Sequence, residues 1–236
     1  MIVAKQKPLK KILEMIEGYK NVAVVGCGEC VTVCGTGGER EVKVLASALR
    51  TALAEAGAEV KIVELMTERQ CDDEFIESIE DQLAGVDAVV SIACGVGVNQ
   101  MAGYLETTPV FPGQDTTFMG GNVEPGSWQE LCAGCGECIL ELTGGICPVA
   151  RCAKTILNGP CGGTKDGECE LGDRPCAWAL IVERMKKLGT LEKLAEIQPP
   201  KDWSTARHGG PRRMTNENLA PAAAGPEGEG EAKLKK

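Results

Sequence analysis

The chain has 236 residues, of which 43% are hydrophobic and only 3% aromatic, so two modest domains with cores of Val, Ile, Leu and Ala are the natural solution. Its formal net charge of −9 excludes a nucleic-acid binder, which needs a basic surface to meet phosphates. No apolar run approaches the ~20 residues that span a bilayer, and the N-terminus MIVAKQKPLKKILEMIEGYK lacks the apolar stretch and cleavage site of a signal peptide. A soluble, cytoplasmic protein without membrane insertion is expected.

In chain order, residues 8–19 place Leu9, Ile12, Leu13 and Ile16 on one helical face. NVAVVG (21–26) reads as a short buried strand ending in glycine, and Glu39 to Ala56 as a helix. AEVKIVEL (58–65) is a second strand, DDEFIESIEDQLAG (72–85) an amphipathic helix, and DAVVSIAC (87–94) a third strand. NQMAGYLE is a short helix and TPVF (108–111) a candidate fourth strand. Strands alternating with helices predict right-handed crossovers and a parallel sheet covered on both faces, in a flavodoxin-like or Rossmann-like α/β domain over residues 1–119. GVGVNQMAG (95–103) has the wrong spacing and place for a dinucleotide fingerprint and reads as a turn capping a helix.

Ligands of such folds bind beyond the carboxyl ends of the strands. Cys27, Cys30 and Cys34 follow the first strand in GCGECVTVCGTGG, and Cys94 ends the third. With flavodoxin strand order those two strands are neighbours, and Cys27, Cys30, Cys34 and Cys94 form one four-thiol site. Loop amides and a helix N-terminus there suit an anionic ligand such as a thiolate-bound cluster. Cys71 follows MTERQ and would need its loop to fold back to take part. The competing reading makes Cys71 or Cys94 a buried small hydrophobe.

GGNVEPGSW (120–128) punctuates the chain, and a small cysteine-rich, metal-bound domain is expected over 120–198. Cys132, Cys135, Cys138, Cys147, Cys152, Cys161, Cys169 and Cys176 all fall there, within a glycine-rich stretch that has too few bulky apolar residues for a core. Small units of this kind rely on disulfides or metal. An odd total of 13 cysteines in a reducing compartment argues for metal. Zinc and [4Fe–4S] sites both take four thiolates. The C-x2-C-x2-C run of CAGCGEC, with Cys147 preceding Pro148 as in bacterial ferredoxins, favours iron–sulfur. With a single histidine in the chain, mixed Cys/His zinc sites are nearly excluded. Eight thiols suffice for two sites, whose division the spacing leaves open; with the N-terminal site, two or three [4Fe–4S] clusters are expected, or two clusters and one zinc.

AWALIVERMKKLGTLEKLAEI (177–197) reads as one or two amphipathic helices packed on the chain's own sheet. Residues 199–236 read as an extended docking segment and tail, with RHGGPRR (207–213) either a solvated basic stretch or a docking element. APAAAGPEGEGEAKLKK (220–236) has the composition of disorder.

CAGCGECILELTGGICPVARCAKTILNGPCGG, followed by GECELGDRPCAWALIVERMKKLG, closely resembles the small MetV-type subunit of bacterial methylenetetrahydrofolate reductase. The resemblance covers about residues 115–213, including TTFMG, NGPCGG, RPCAW and DWS…GGPRR, and the first half is similar in plan. It implies [4Fe–4S] clusters, a link to zinc, and a partner: a catalytic flavin-containing (β/α)8 barrel that binds the folate, alongside electron-donor subunits. The residues agree with that implication. His208, the one histidine, lies in the tail; no P-loop is present, and no isolated carboxylate pair marks a cleft. A redox cofactor without acid–base machinery points to an electron-transfer subunit without catalytic residues of its own. The rival is a zinc or iron–sulfur scaffold module that docks the complex without carrying electrons; a weaker third reading is a stand-alone enzyme using the N-terminal cluster.

Overall fold

The computed structural model describes residues 1–172, 174–207 and 210–216; the stretch 220–236 and His208 lie outside them. The chain divides into two units, residues 1–134 with 138–199, and residues 135–137 with 200–236.

The elements of the first unit begin with β1 (Ile2–Gln6), α1 (Leu9–Met15), β2 (Asn21–Cys27), α2 (Cys30–Val33), α3 (Glu39–Glu55) and β3 (Lys61–Thr67). They continue with α4 (Asp73–Glu77), α5 (Glu80–Leu83), β4 (Ala88–Ser91), α6 (Gly95–Leu105) and β5 (Val110–Pro112). A parallel sheet of order β3-β2-β4-β5 results, the flavodoxin order for its members. β2 lies at its centre, in register Val22↔Ile62 with β3 and Val22↔Ala88 with β4. Such a strand must be apolar on both faces, and Val22, Ala23, Val24 and Val25 are fully buried. On one face Ile12, Ile16, Val42, Leu45 and Leu49 from α1 and α3 pack on Val22, Val24 and Val90. On the other, Ile76, Ile79, Leu83 and Met101 from the α4–α6 region cover Ala23, Val25 and Val89.

Local chemistry explains where elements differ from the periodicity. The second strand starts at Lys61 rather than residue 58, because Gly57 (φ +69°) ends α3 and Ala58 N–H still donates to Leu53 O at 2.9 Å. The helix expected over 72–85 breaks into α4 and α5, where Ser78 Oγ donates to Phe75 O at 2.7 Å, a side-chain bond that competes with the helical ladder.

A second sheet was not legible in the alternation: β6 (Gln114–Glu124) pairs antiparallel with β1 and with β7 (Ser127–Cys132). The segment 120–128 is therefore the β6–β7 hairpin, with Gly126 at φ +80° in its turn. The remaining elements are α7 (Pro148–Arg151), the two-stranded ribbon β8 (Thr164–Lys165) and β9 (Glu168–Cys169), and α8 (Ala177–Leu188). The apolar face of α8 corrects an expectation. Trp178, Ile181 and Met185 pack against Ile146, Cys152, Ile156 and Leu194 rather than on the parallel sheet.

In the second unit, the Lys201 ammonium donates to Glu137 O at 2.7 Å, and Asp202 N–H donates to the Glu137 carboxylate at 2.9 Å. Gly136 (φ +88°) has no room for a side chain there, since a Cβ would sit 2.2 Å from Thr205 O.

Leu49, fully buried in the core beneath α3, sets an expectation. Leu49→Ala costs about 2–5 kcal/mol of unfolding free energy. The exposed Val44→Ala on the same helix stays within about 0.5 kcal/mol. Anaerobic urea titration of the two variants measures the contrast.

Candidate metal centres

Most of the segment that carries the later C-terminal thiols is held by backbone, and only Cys152 and Cys176 pack, with Ile156, against the small core of Trp178, Ile181 and Met185. No described residue from 149 to 176 is buried. The segment is nonetheless knitted together. β8 and β9 pair Thr164 with Cys169 and Lys165 with Glu168; Asp166 (φ +52°) and Gly167 (φ +84°) form the left-handed turn that a two-residue hairpin requires. Cys169 N–H donates to Arg174 O at 3.0 Å and Cys176 N–H to Gly167 O at 2.7 Å, so the returning chain lies along the ribbon. Cys152 ends α7, and Cys176 is the N-cap of α8. The result is one cavity lined by Cys152, Cys161, Cys169 and Cys176, with Arg151, Lys154, Arg174 and Trp178 around them.

The electrostatics of that cavity favour thiolate. The Gly163 amide foremost, then the Lys154 ammonium, holds the Cys161 thiol below its ordinary pKa; Lys154 Nζ lies 3.6 Å from Cys161 Sγ and is also paired with Glu170. Burial pushes Cys176 up, but the Thr164 hydroxyl and the amides of Ala179 and Trp178 outweigh it, leaving a net lowering. Those two amides belong to the first turn of α8, whose dipole favours negative charge.

The other C-terminal thiols sit elsewhere. Cys132 ends β7 and accepts from Gly134 N–H at 3.4 Å; Cys147 is the N-cap of α7, and α7 packs against β7. Cys138 is exposed in the first unit. Cys135 belongs to the second unit, where its thiol donates to Glu137 O at 3.5 Å.

At the N-terminal edge, Cys27 closes β2, Cys30 opens α2, Cys34 ends it and Cys94 is the N-cap of α6. Cys27, Cys34 and Ala93 form a buried cluster with Cys94 and Trp128 packed on it. Burial raises the Cys27 thiol; the amides of Glu29 and Gln70 bond it and pull it down, and the Cys94 and Cys30 thiols push it up. Burial also raises Cys71, followed by the thiols of Cys27 and Cys94.

Among the described residues, no three His, Cys, Asp or Glu side chains close around a point that would hold a metal ion. The thiols converge without closing. Their chemistry nevertheless fits a thiophilic centre, because the donors are all sulfur, and both groups receive backbone amides, as thiolate-bound clusters do. One orphan supports the fit at the N-terminal edge: the Trp128 indole N–H is buried without an acceptor, a vacancy that costs about 1–3 kcal/mol unless an anionic sulfur or similar group fills it.

Residues 111–204 match the family described as methylene-tetrahydrofolate reductase C terminal. Over that segment the chain is related to methylenetetrahydrofolate reductase. No curated protein and no solved structure matches the chain. The reductase-related segment contains all eight C-terminal cysteines, from Cys132 to Cys176, and the four-thiol cavity; the five N-terminal cysteines lie before it. No helix among the described residues is long and apolar enough to cross a membrane. Sequence reasoning missed Lys154, Thr164, Trp128 and Gln70 as partners of the thiols. Lys154 was the one with a signal, a cation two residues after Cys152.

In the metal-free chain, alkylation reports these environments. Cys161 and Cys71 are both exposed, but the first thiol is lowered and the second raised. At neutral pH the lowered group holds the larger thiolate fraction and reacts first. Iodoacetamide labelling followed by peptide mass spectrometry is expected to show Cys161 modified ahead of Cys71, with the gap narrowing as pH rises past both values.

Proposed function

We propose that this chain is an iron–sulfur electron-transfer subunit of a methylenetetrahydrofolate reductase complex, passing electrons between a redox partner and the flavin of a (β/α)8 catalytic subunit. The observation that carries the reading is the four-thiol cavity inside the reductase-related segment, where no described residue from 149 to 176 is buried. Bound there, [4Fe–4S] clusters would supply one-electron chemistry, with zinc able to occupy one site instead.

The protein's share is positioning and tuning. Cys152, Cys161, Cys169 and Cys176 are the residues that would hold one centre, with Lys154, Gly163 N–H and the α8 amides offsetting its negative charge. For a second centre, the C-x2-C-x2-C run of CAGCGEC supplies the sequence spacing. Hydrogen bonds to sulfur and burial set potentials in such centres. Docking falls to GTKDGECELGDRPC (163–176) and to the segment DWSTARHGGPRR (202–213), whose described part is braced by Lys201 and Asp202 on Glu137.

Anaerobically purified protein is expected to contain iron and labile sulfide, with zinc measured in parallel. Zinc without sulfide would sink the electron-transfer reading and leave the scaffold reading. Removing the metal is expected to raise amide exchange throughout 149–176 while β2 and β4 stay protected. With the flavoprotein, deleting residues 199–236 is expected to abolish co-purification, and deleting 220–236 to leave it intact. Stopped-flow reduction should then show flavin and cluster reduced in coupled phases; flavin reduction indifferent to this subunit counts against the proposal.

A further inference from the structure

The loop between β3 and α4 is pinned across the end of the parallel sheet by one side chain. Gln70 is fully buried. Its amide nitrogen donates to Val25 O at 3.0 Å and to Gly26 O at 2.9 Å, the last carbonyls of β2 before Cys27. Its amide oxygen accepts from Ser91 Oγ at 2.6 Å, on the last residue of β4. Gln70 thus bonds both strands whose ends carry thiols. The start of α6 closes down on the same loop, since a Cβ on Gly97 would meet Gln70 Cβ at 2.8 Å and Ala93 Cβ at 2.9 Å. Farther back, Gly28 N–H donates to Thr67 O at 3.0 Å, so the loop is also tied to the turn after β2. The residue that follows Gln70 is Cys71, exposed at the sheet edge.

Cys34 is placed differently. It is buried at the C-terminal end of α2, where its thiol lies 3.6 Å from Val31 O, to which it donates, and 3.2 Å from Thr36 Oγ1. Its polar contacts are satisfied within its own turn. A metal ligand there would have to break them, and both are shorter than the 3.9 Å contact from the Cys27 thiol to Glu68 O. The Cys71 thiol, by contrast, is bonded by its own backbone amide, a bond that a metal-bound sulfur can keep.

We infer that Cys71, carried over the sheet edge by the Gln70 clamp, completes the N-terminal metal centre with Cys27, Cys30 and Cys94, and that Cys34 is a structural thiol. This rests on the reading of these cysteines as ligands of a thiolate-bound centre, and it changes the set that sequence spacing suggests by exchanging Cys34 for Cys71. The four thiols come from three successive strand ends, after β2, β3 and β4, on the edge where ligands of parallel α/β sheets bind. The N-terminus of the 11-residue α6, capped by Cys94, faces the charge that such a centre carries.

Iron, labile sulfide and zinc per full-length chain, with electron paramagnetic resonance of the reduced protein, test the set in anaerobically purified wild type, Cys71→Ser and Cys34→Ser. The inference expects Cys71→Ser to lose one centre, about four irons with their sulfide or one zinc, and its resonance, while Cys34→Ser keeps both. The reverse pattern overturns it. If both variants lose metal, alkylation of loaded wild type decides. Cys71 protected until the metal is stripped supports the inference, because its exposure makes it reactive when free; Cys71 alkylated in the loaded protein overturns it. Wild type that carries no thiolate-bound metal at all overturns the proposed function itself, and does so whatever the variants do.

Discussion

The stretch from residue 149 to 176 must be ordered without an interior. No described side chain in it is buried, and its apolar anchorage is confined to Cys152, Ile156 and Cys176 against the small core of α8. Its apolar residues are already committed: Val, Ile and Leu fill the two faces of the parallel sheet, and the sequence has almost no aromatic bulk to spare. What remains is a two-stranded ribbon, a few loop hydrogen bonds and the edge of the α8 core, where the Trp178 indole donates to Ile156 O at 2.8 Å. An isolated ribbon of this size is marginal in water. In the proposed function, the four cysteines that line its cavity would meet the same need in the way small metal domains do, by making ligand binding part of folding.

The two thiol-bearing regions reach similar chemistry by opposite routes. At the sheet edge the thiols are partly buried, and burial together with mutual repulsion keeps Cys27 and Cys71 protonated. In the ribbon cavity a lysine, a hydroxyl and free amides hold Cys161 and Cys176 toward the anion. A cation entering the first site must displace protons against a desolvation cost, whereas the second is already biased to receive it.

Much of this was legible in the residues. Periodicity located β2 and α3 closely and placed β4 inside the strand expected over 87–94, because each lies in a layer whose burial pattern is written in alternation or helical spacing; α6 starts at Gly95, inside the stretch read as a turn. The neighbouring of β2 and β4, and with it the meeting of Cys27 and Cys94, followed from flavodoxin order. The β1–β6–β7 sheet was not legible, since β1 finds its partner more than a hundred residues away and its short alternation, IVAKQ, carries no signal of that pairing. The path of the Cys71 loop was hidden for a related reason. It depends on one buried amide side chain, and a glutamine in a polar loop gives no hint that it will be buried. The grouping of Cys152, Cys161, Cys169 and Cys176 likewise depends on a ribbon register that glycine-rich sequence does not encode visibly.

Among the small elements, α7 has an unusual pair of ends: Cys147 caps its start and Cys152 its finish, with a single turn, PVAR, between them. A helix this short has no stability of its own, and at ~1.5 Å per residue it sets Cys147 and Cys152 only about 7.5 Å apart along its axis. Whatever fixes Cys147 therefore also fixes Cys152, and a turn that frays at one end releases the other. In the proposed centres, a metal bound at either thiol would therefore order the turn that carries the other.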